Sequence, residues 1–311
     1  MTMRAPSGLA KKLNKVLRKF GLRLVAVAPR EEELADASRG ASLAERIAVL
    51  EARPDAEMIR DVTQYAMKAH WRTIDMVEQC YGTFKPDRCP LCGHKPDHGA
   101  FEELVSQCLF QGGRLVRHVC PKCQVTFGPQ KMFRLDEEMV DLEYRNLYNV
   151  YSEGTSIDSI IRTFHLLSPH KQGTYLDFGC GGTWSAAIQQ LRKDGWNIYG
   201  FEPSAKHASE YVFSSWEQIE GRTFDGIFSH NVLEHLFDPA GTTKRLGNLL
   251  TSGGRIVHAT PCFEYRYEFS RFHIFFFTGR SPYVLADMAN MSIVDWVRDG
   301  EFIACTMHRS V

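Results

Sequence analysis

The chain of 311 residues lacks an apolar run long enough to cross a bilayer. None reaches the roughly 18 residues that a spanning helix requires, and this excludes a transmembrane helix. It also lacks net charge. Lys and Arg number 37 and Asp and Glu number 37, so the balance gives no support to a general nucleic-acid binder, whose surface is usually basic. The N-terminus has no uninterrupted apolar segment followed by a cleavage site, which argues against a secretory signal. Five of the nine cysteines, Cys80, Cys108, Cys180, Cys262 and Cys305, have no paired spacing and read as small core residues. Without a secretory signal, the other four point to metal rather than disulfides. The expected location is the cytoplasm.

Acidic residues are also missing from residues 1–23, where Arg4, Lys11, Lys12, Lys15, Arg18, Lys19 and Arg23 occur. Leu9, Leu13, Val16, Leu17 and Phe20 recur there at helical spacing. Such a basic amphipathic helix can lie on an anionic membrane, here the inner membrane surface, or pack its apolar stripe on the protein. Residues 30–80 read as helical, with Pro54 separating two helices. Residues 43–79 would form a hairpin or a short coiled coil that pairs two copies, or a spacer. The expected divisions are a basic and helical segment over 1–85, a metal-binding ribbon over 86–135 and an α/β domain over 136–311.

The ribbon carries two Cys-x-x-Cys pairs, Cys89 with Cys92 and Cys120 with Cys123. Between them, alternation around Leu104–Phe110 and Leu115–Val119, broken at Gly112-Gly113, suggests a β-hairpin. Each pair offers two thiolates from one tight turn, and four thiolates complete a tetrahedron around zinc. A closed four-thiolate site has no open position, so this zinc is expected to be structural. His94 and His118 lie beside the turns, but such a site needs neither.

Residues 174–204 read TYLDFGCGGTWSAAIQQLRKDGWNIYGFEPS. An apolar run containing Asp177 leads into Gly179, Gly181 and Gly182; a helical stretch and a second apolar run ending at Glu202 follow. Strand, glycine turn, helix, strand and acid make one βαβ unit suited to a nucleotide-like ligand. Glycines let backbone N–H groups approach that ligand, and the acid can accept from ribose hydroxyls. A dinucleotide cofactor is disfavoured, because Trp184 stands where its third glycine belongs.

Asp177, Gly179 and Gly181, with GFEPS, FDGIFSHNVLEHLFDP and GGRIVHATP, resemble a class I S-adenosylmethionine-dependent methyltransferase from about residue 150 onward. The resemblance implies an α/β fold, a Rossmann-like doubly wound sheet of seven strands with the last antiparallel. It implies that Asp177, Gly179 and Gly181 cradle the methionine and ribose of S-adenosylmethionine, that Glu202 holds the ribose, and that Ser229-His230-Asn231 lies over the cofactor. It also implies a lid before the first strand, with Tyr148 or Tyr151 touching the cofactor. Thr183 departs from the family pattern, where a third glycine is usual.

A hydroxyl acceptor needs a base or a metal ion to remove its proton. Candidates gather at the strand ends: His230, Glu234, His235, His258 and His273, with His273 first. HNVLEH resembles a stretch of ubiquinone-type O-methyltransferases that helps hold a divalent metal, which makes Mg2+ on Glu234 and His235 a further expectation. RFHIFFFT at Arg271–Thr278 resembles a substrate-side segment, so Phe272, Phe275, Phe276 and Phe277 would line an acceptor pocket or its lid. The arrangement of ribbon and domain resembles methyltransferases of polysaccharide and lipopolysaccharide assembly, which implies O-methylation of a sugar in a surface glycan or its precursor. Two alternatives are an RNA base methyltransferase, using the ribbon and a basic face around Lys122, Lys131 and Arg134, and a non-enzymatic binding module. Neutral charge makes nucleic acid the less favoured partner.

Overall fold

The structure is a computed structural model that describes residues 43–82, 85–96, 99–150, 157–182, 185–205 and 209–310. The expectations placed on residues 1–23, Tyr151, Thr183 and Trp184 lie outside the described residues, as does the side chain of Tyr148. The chain divides into two units, Met1–Ile59 and Arg60–Val311, and every site below lies in the second. No helix among the described residues is long and apolar enough to cross a membrane.

Helix α1 (Leu43–Tyr81) is one continuous element of 39 residues. Pro54 sits inside it and does not separate two helices, so residues 43–79 form no hairpin. A proline removes one hydrogen bond, and a long helix can continue on either side of that loss.

The larger sheet holds seven strands: β4 (Thr174–Phe178), β5 (Asn197–Phe201), β6 (Val212–Phe213), β7 (Phe224–His230), β8 (Leu250–Ala259), β10 (Met291–Asp299) and β11 (Phe302–Arg309). Their order is β10-β11-β8-β7-β4-β5-β6. Strands β4 to β8 pair in parallel, and β11 runs antiparallel between β8 and β10. This is the expected doubly wound sheet with a reversed last strand. The chain leaves β4 toward β5 on one side and later returns to β7 on the other, so the strand order reverses there. Open α/β sheets bind ligands at the C-terminal ends of the strands beside such a reversal.

Period-2 alternation builds two cores. Tyr175, Phe228 and Val257 face one side, where Phe164 of α3 (Ile157–His165) and Ile188 and Leu191 of α4 (Ala186–Lys193) pack. Leu176, Ile227 and Ile256 face the other, toward Leu246 of α5 (Pro239–Asn248) and Leu285 of α6 (Ser281–Met288). The second core continues into the cysteine-bearing module through Val125, Phe127 and Trp71.

That module is a four-stranded antiparallel sheet, β1 (Glu102–Gln107), β2 (Arg114–Val119), β3 (Thr126–Phe127) and β9 (Phe275–Phe276). The fourth strand comes from the segment after β8: Thr126 pairs Phe276 and Phe127 pairs Phe275. Phe272, Phe275, Phe276 and Phe277 are therefore buried core residues, not the lining of an exposed pocket or lid. A short apolar run fits a core strand as well as a ligand wall, and the pairing with β3 settles which it is.

Buried ions fasten α1 and helix α2 (Glu137–Val150) to this module. Lys131 Nζ donates to Asp75 Oδ1 and to the carbonyls of Gly112 and Arg114, each at 2.7 Å. Lys131 is buried, so the basic face proposed for it does not form. Arg271 and Trp71 both donate to Glu143 Oε2.

Candidate active site

The glycine turn leaves β4 in left-handed conformations, with φ of 80° at Gly179, 77° at Gly181 and 143° at Gly182. A Cβ at Gly179 would stand 2.5 Å from Val232 Cγ2, so the position demands glycine twice over, by conformation and by space. At Gly181 and Gly182 an added Cβ would meet nothing within 4 Å among the described residues. Gly179 N–H and Cys180 N–H donate to Phe201 O, which docks the turn on the end of β5. Glu202 closes the arrangement. Its carboxylate accepts from Gly181 N at 3.0 Å, Ser204 N at 3.1 Å and Ser204 Oγ at 2.7 Å.

Asp177 is 2% exposed, and Oδ2 has no hydrogen-bond partner among the described residues. Burial, with the charge of Glu202 added, pushes its carboxyl up to about 8. A buried carboxyl with one oxygen left unpartnered, beside a glycine cradle, fits a ligand that brings positive charge and polar groups. S-adenosylmethionine carries a sulfonium and an ammonium, so the residues present fit it.

His230 ends β7 and Asn231 follows it. Asn231 is exposed, with φ of 54°, and its N–H donates to Ala259 O at 2.8 Å. The His230 ring stacks on Phe302, centroids 6.4 Å apart, and burial lowers its pKa to about 4.

Beyond His230 the chain makes a 3-10 turn, Leu233–His235. There the structure brings together the three residues expected to act on the acceptor. Glu234, His235 and His273 offer oxygen or nitrogen atoms that all lie within 4.8 Å of one another. The two imidazole centroids are 4.9 Å apart at 65°. Ile274 N–H donates to Glu234 O at 2.9 Å, and His235 Nδ1 lies 3.0 Å from Phe272 O, so the turn holds the His273 segment from below. Burial, then His235 and Arg117, bring His273 down to about 2. Tyr144 of α2 reaches His235 Nδ1 at 3.0 Å. Tyr144, Tyr148 and Tyr151 recur at helical spacing in the sequence, but only the fold shows the partner of Tyr144.

The donor set of the cluster, two imidazoles and one carboxylate, does not fit Mg2+, which prefers oxygen ligands and keeps several waters. His258 does not join the cluster. It is fully buried, with Nδ1 at 2.8 Å from Ser229 Oγ and Nε2 at 3.3 Å from Thr243 Oγ1, and burial lowers its pKa to about 4. It fastens α5 to the sheet.

The four ribbon cysteines converge. Cys89 Sγ to Cys123 Sγ and Cys92 Sγ to Cys120 Sγ are both 3.7 Å. A tetrahedron with Zn–S of about 2.3 Å has edges of about 3.8 Å, so the four sulfurs fit zinc. Each turn closes in the same way, with Gly93 N donating to Cys89 O and Gln124 N to Cys120 O, Gly93 and Gln124 both having positive φ. Burial pushes the Cys120 thiol up to about 11; the Cys89 contact, then burial, raises Cys123. A bound dication would offset that cost by favouring thiolates. His118, buried among Phe101 and Phe127, is not one of the four.

Comparison with known proteins agrees with this geometry. Residues 154–295 match the family model described as a methyltransferase domain. A tRNA U34 carboxymethyltransferase of Helicobacter hepaticus is 30% identical over 135 residues, which cover 35% of this chain and 43% of that protein. Among solved structures, the 1,6-didemethyltoxoflavin-N1-methyltransferase of Burkholderia thailandensis, determined with S-adenosylhomocysteine, is 15% identical with a TM-score of 0.47, covering 64% of this chain and 96% of that one. The CcbJ methyltransferase of Streptomyces caelestis is 12% identical with a TM-score of 0.40, covering 53% and 96%. Residues 154–295 thus carry a methyltransferase domain, and the chain spans less than half the length of the curated relative it matches.

Proposed function

We propose that the enzyme O-methylates a sugar hydroxyl of a surface glycan or of its nucleotide- or lipid-linked precursor. The observation that carries the reading is the convergence of Glu234, His235 and His273 just beyond the end of β7, where the strand order reverses. When bound, S-adenosylmethionine supplies an activated methyl on a sulfonium. Asp177, the Gly179–Gly182 backbone and Glu202 would hold it, with His230 and Asn231 over it. The acceptor oxygen forms a bond to the methyl carbon as the carbon–sulfur bond breaks, and the hydroxyl proton passes to an imidazole of the cluster. His273 is first choice for that base; Tyr144 and the Phe272 carbonyl orient His235. Burial, with His235 and Arg117 beside it, keeps His273 unprotonated at neutral pH, so a lone pair is available, and the same shift lowers its basicity below that of a free imidazole.

A row of rings leads from solvent to His273. Tyr265, Tyr267 and Phe269 have successive centroids 6.3 and 5.8 Å apart, and Tyr267 is 6.1 Å from His273. Tyr265 and Phe269 are exposed and offer apolar faces of the kind a sugar ring covers. The His273→Ala protein tests the base. Methyl transfer should fall at least about 100-fold with cofactor affinity intact, and near-normal turnover would exclude His273.

A second reading, methylation of an RNA base, is favoured by the match to the Helicobacter protein. The burial of Lys131 and the zero net charge count against it. Pairing of two copies along residues 43–79 belongs to the proposal too, supported by the exposed Val62, Tyr65 and Met76 of α1. Sedimentation of the full chain at twice the monomer mass would bear it out.

A further inference from the structure

Arg117 lies in β2, three residues before Cys120, and is 1% exposed. Its guanidinium donates to three carbonyls of one segment: Glu268 O at 2.8 Å, Ser270 O, and His273 O at 3.1 Å. Ser106 Oγ, 3.5 Å from Arg117 Nη1, also donates to Glu268 O at 2.6 Å. The guanidinium carbon lies 5.1 Å from the Phe276 ring centroid. Burial lowers the pKa of Arg117 to about 10. Burying a cation is costly unless its donors are matched; here Nη1 and Nη2 are spent on the backbone that carries His273, while Nε has no partner among the described residues. A planar fork with five N–H donors can hold three acceptors of one loop at once; an ammonium cannot copy that geometry.

Other ties run between the ribbon and the same segment. Leu109 N donates to Phe269 O and Gly128 N to Ile274 O, both at 3.0 Å, and β3 pairs β9. On the opposite side the segment is held by Glu234 and His235. Residues 268–274 are thus strung between the ribbon and the Glu234–His235 turn, with Arg117 as the one ribbon side chain among the described residues that reaches the His273 carbonyl.

We propose that Arg117 is a positioning residue for the acceptor side of the active site. By fixing the carbonyls of Glu268, Ser270 and His273, it sets where the His273 imidazole stands against His235 and Glu234. It touches neither cofactor nor acceptor. The ribbon serves the chemistry through this residue rather than by gripping a substrate. The proposal rests on the reading of His273 as part of the acceptor-side cluster.

The test compares full-length Arg117→Met, Arg117→Lys and His273→Ala proteins with wild type. Label transfer from tritiated S-adenosylmethionine is measured with the cell fraction that wild type labels, cofactor affinity by calorimetry and zinc by metal analysis. A displacement of about 1 Å at a reacting group costs about 100-fold, so Arg117→Met should lose about that factor in turnover. Its cofactor Kd should stay within about twofold and its zinc at about one per chain. Arg117→Lys, which keeps the charge, should recover part of the loss. The Met variant transferring label at the wild-type rate would overturn the proposal. So would loss of cofactor binding and zinc together with activity, which would make Arg117 a folding residue. A readout without acceptor is the spectrum of nitrogen-15-labelled histidines. The His273 ring signals should move in the Met variant and return toward wild type in the Lys variant, and unmoved signals count against the proposal. If His273→Ala is fully active while Arg117→Met is impaired, the His273 base reading fails. The reverse pattern sinks the Arg117 proposal alone.

Discussion

His235 Nδ1 lies 3.0 Å from Phe272 O, and a carbonyl only accepts, so a hydrogen bond there takes its proton from Nδ1. Tyr144 Oη makes a second contact on Nδ1, at 3.0 Å, so the ring orientation is fixed from two sides. His235→Ala should cost about 100-fold or more in methyl transfer. Tyr144→Phe removes one neutral hydrogen bond of about 1 kcal/mol and should cost about fivefold. Steady-state label transfer checks both, and a Tyr144→Phe loss equal to that of His235→Ala would give the tyrosine a larger role than orientation.

Arg271 and Glu143 form a buried ion pair at 2.6 Å, with side-chain exposures of 0% and 4%. Trp71 Nε1 donates to the same carboxylate at 3.2 Å. Glu143→Leu leaves the guanidinium buried without its anion and should destabilise the protein by about 3–5 kcal/mol. The double variant Glu143→Leu with Arg271→Met should be less destabilised than the single one. Urea unfolding measures both, and additive losses would contradict coupling through the pair.

The ribbon sulfurs predict about one zinc per chain, lost in Cys89→Ser. Because β3 of the ribbon pairs β9, metal loss should also lower the Tm. Metal analysis and a thermal melt on the same samples check this; a Cys89→Ser protein retaining zinc at full stoichiometry would rule out the four-thiolate site.

Stability should respond to pH in two opposite senses. His230 and His258 have folded values of about 4, against about 6.5 in the unfolded chain. Between those values the unfolded chain binds more protons, so stability falls as pH drops from about 6.5 toward 4. Asp177 has a folded value of about 8 against an ordinary 3.8, so the native state binds the extra proton and stability falls as pH rises through that window. Urea unfolding between pH 4 and 9 should therefore show a maximum in between, and Asp177→Asn should flatten the alkaline limb. Binding of a cationic cofactor favours ionised Asp177. Calorimetry at neutral pH in buffers of different ionisation enthalpy should then show proton release that vanishes in Asp177→Asn.

The local motifs were legible in the sequence because their chemistry is local. The glycine turn, Glu202 and the two cysteine turns each lie within a few residues or one βαβ unit. The doubly wound sheet followed from the alternation of strands and helices, and its seven strands with a reversed last one from the family resemblance. The cluster of Glu234, His235 and His273 was legible as candidates but not as neighbours. What escaped depends on distant pairing. Nothing in the phenylalanine run announces that Phe275 and Phe276 complete the ribbon sheet beside Thr126 and Phe127. Arg117 looks like any strand arginine until its partners, about 150 residues away, are in place. Lys131 read as a surface cation and is a buried clamp, and Pro54 read as a break within what is one helix.

The most direct test of the account is the chemical identity of the methylated product. Tritiated S-adenosylmethionine is supplied to wild type and His273→Ala with glycan, nucleotide-sugar and RNA fractions, and the labelled product is hydrolysed to its monomers. The account predicts label as an O-methyl sugar, present with wild type and about 100-fold weaker with His273→Ala. Label in a nucleobase, or equal labelling by the two proteins, would contradict it.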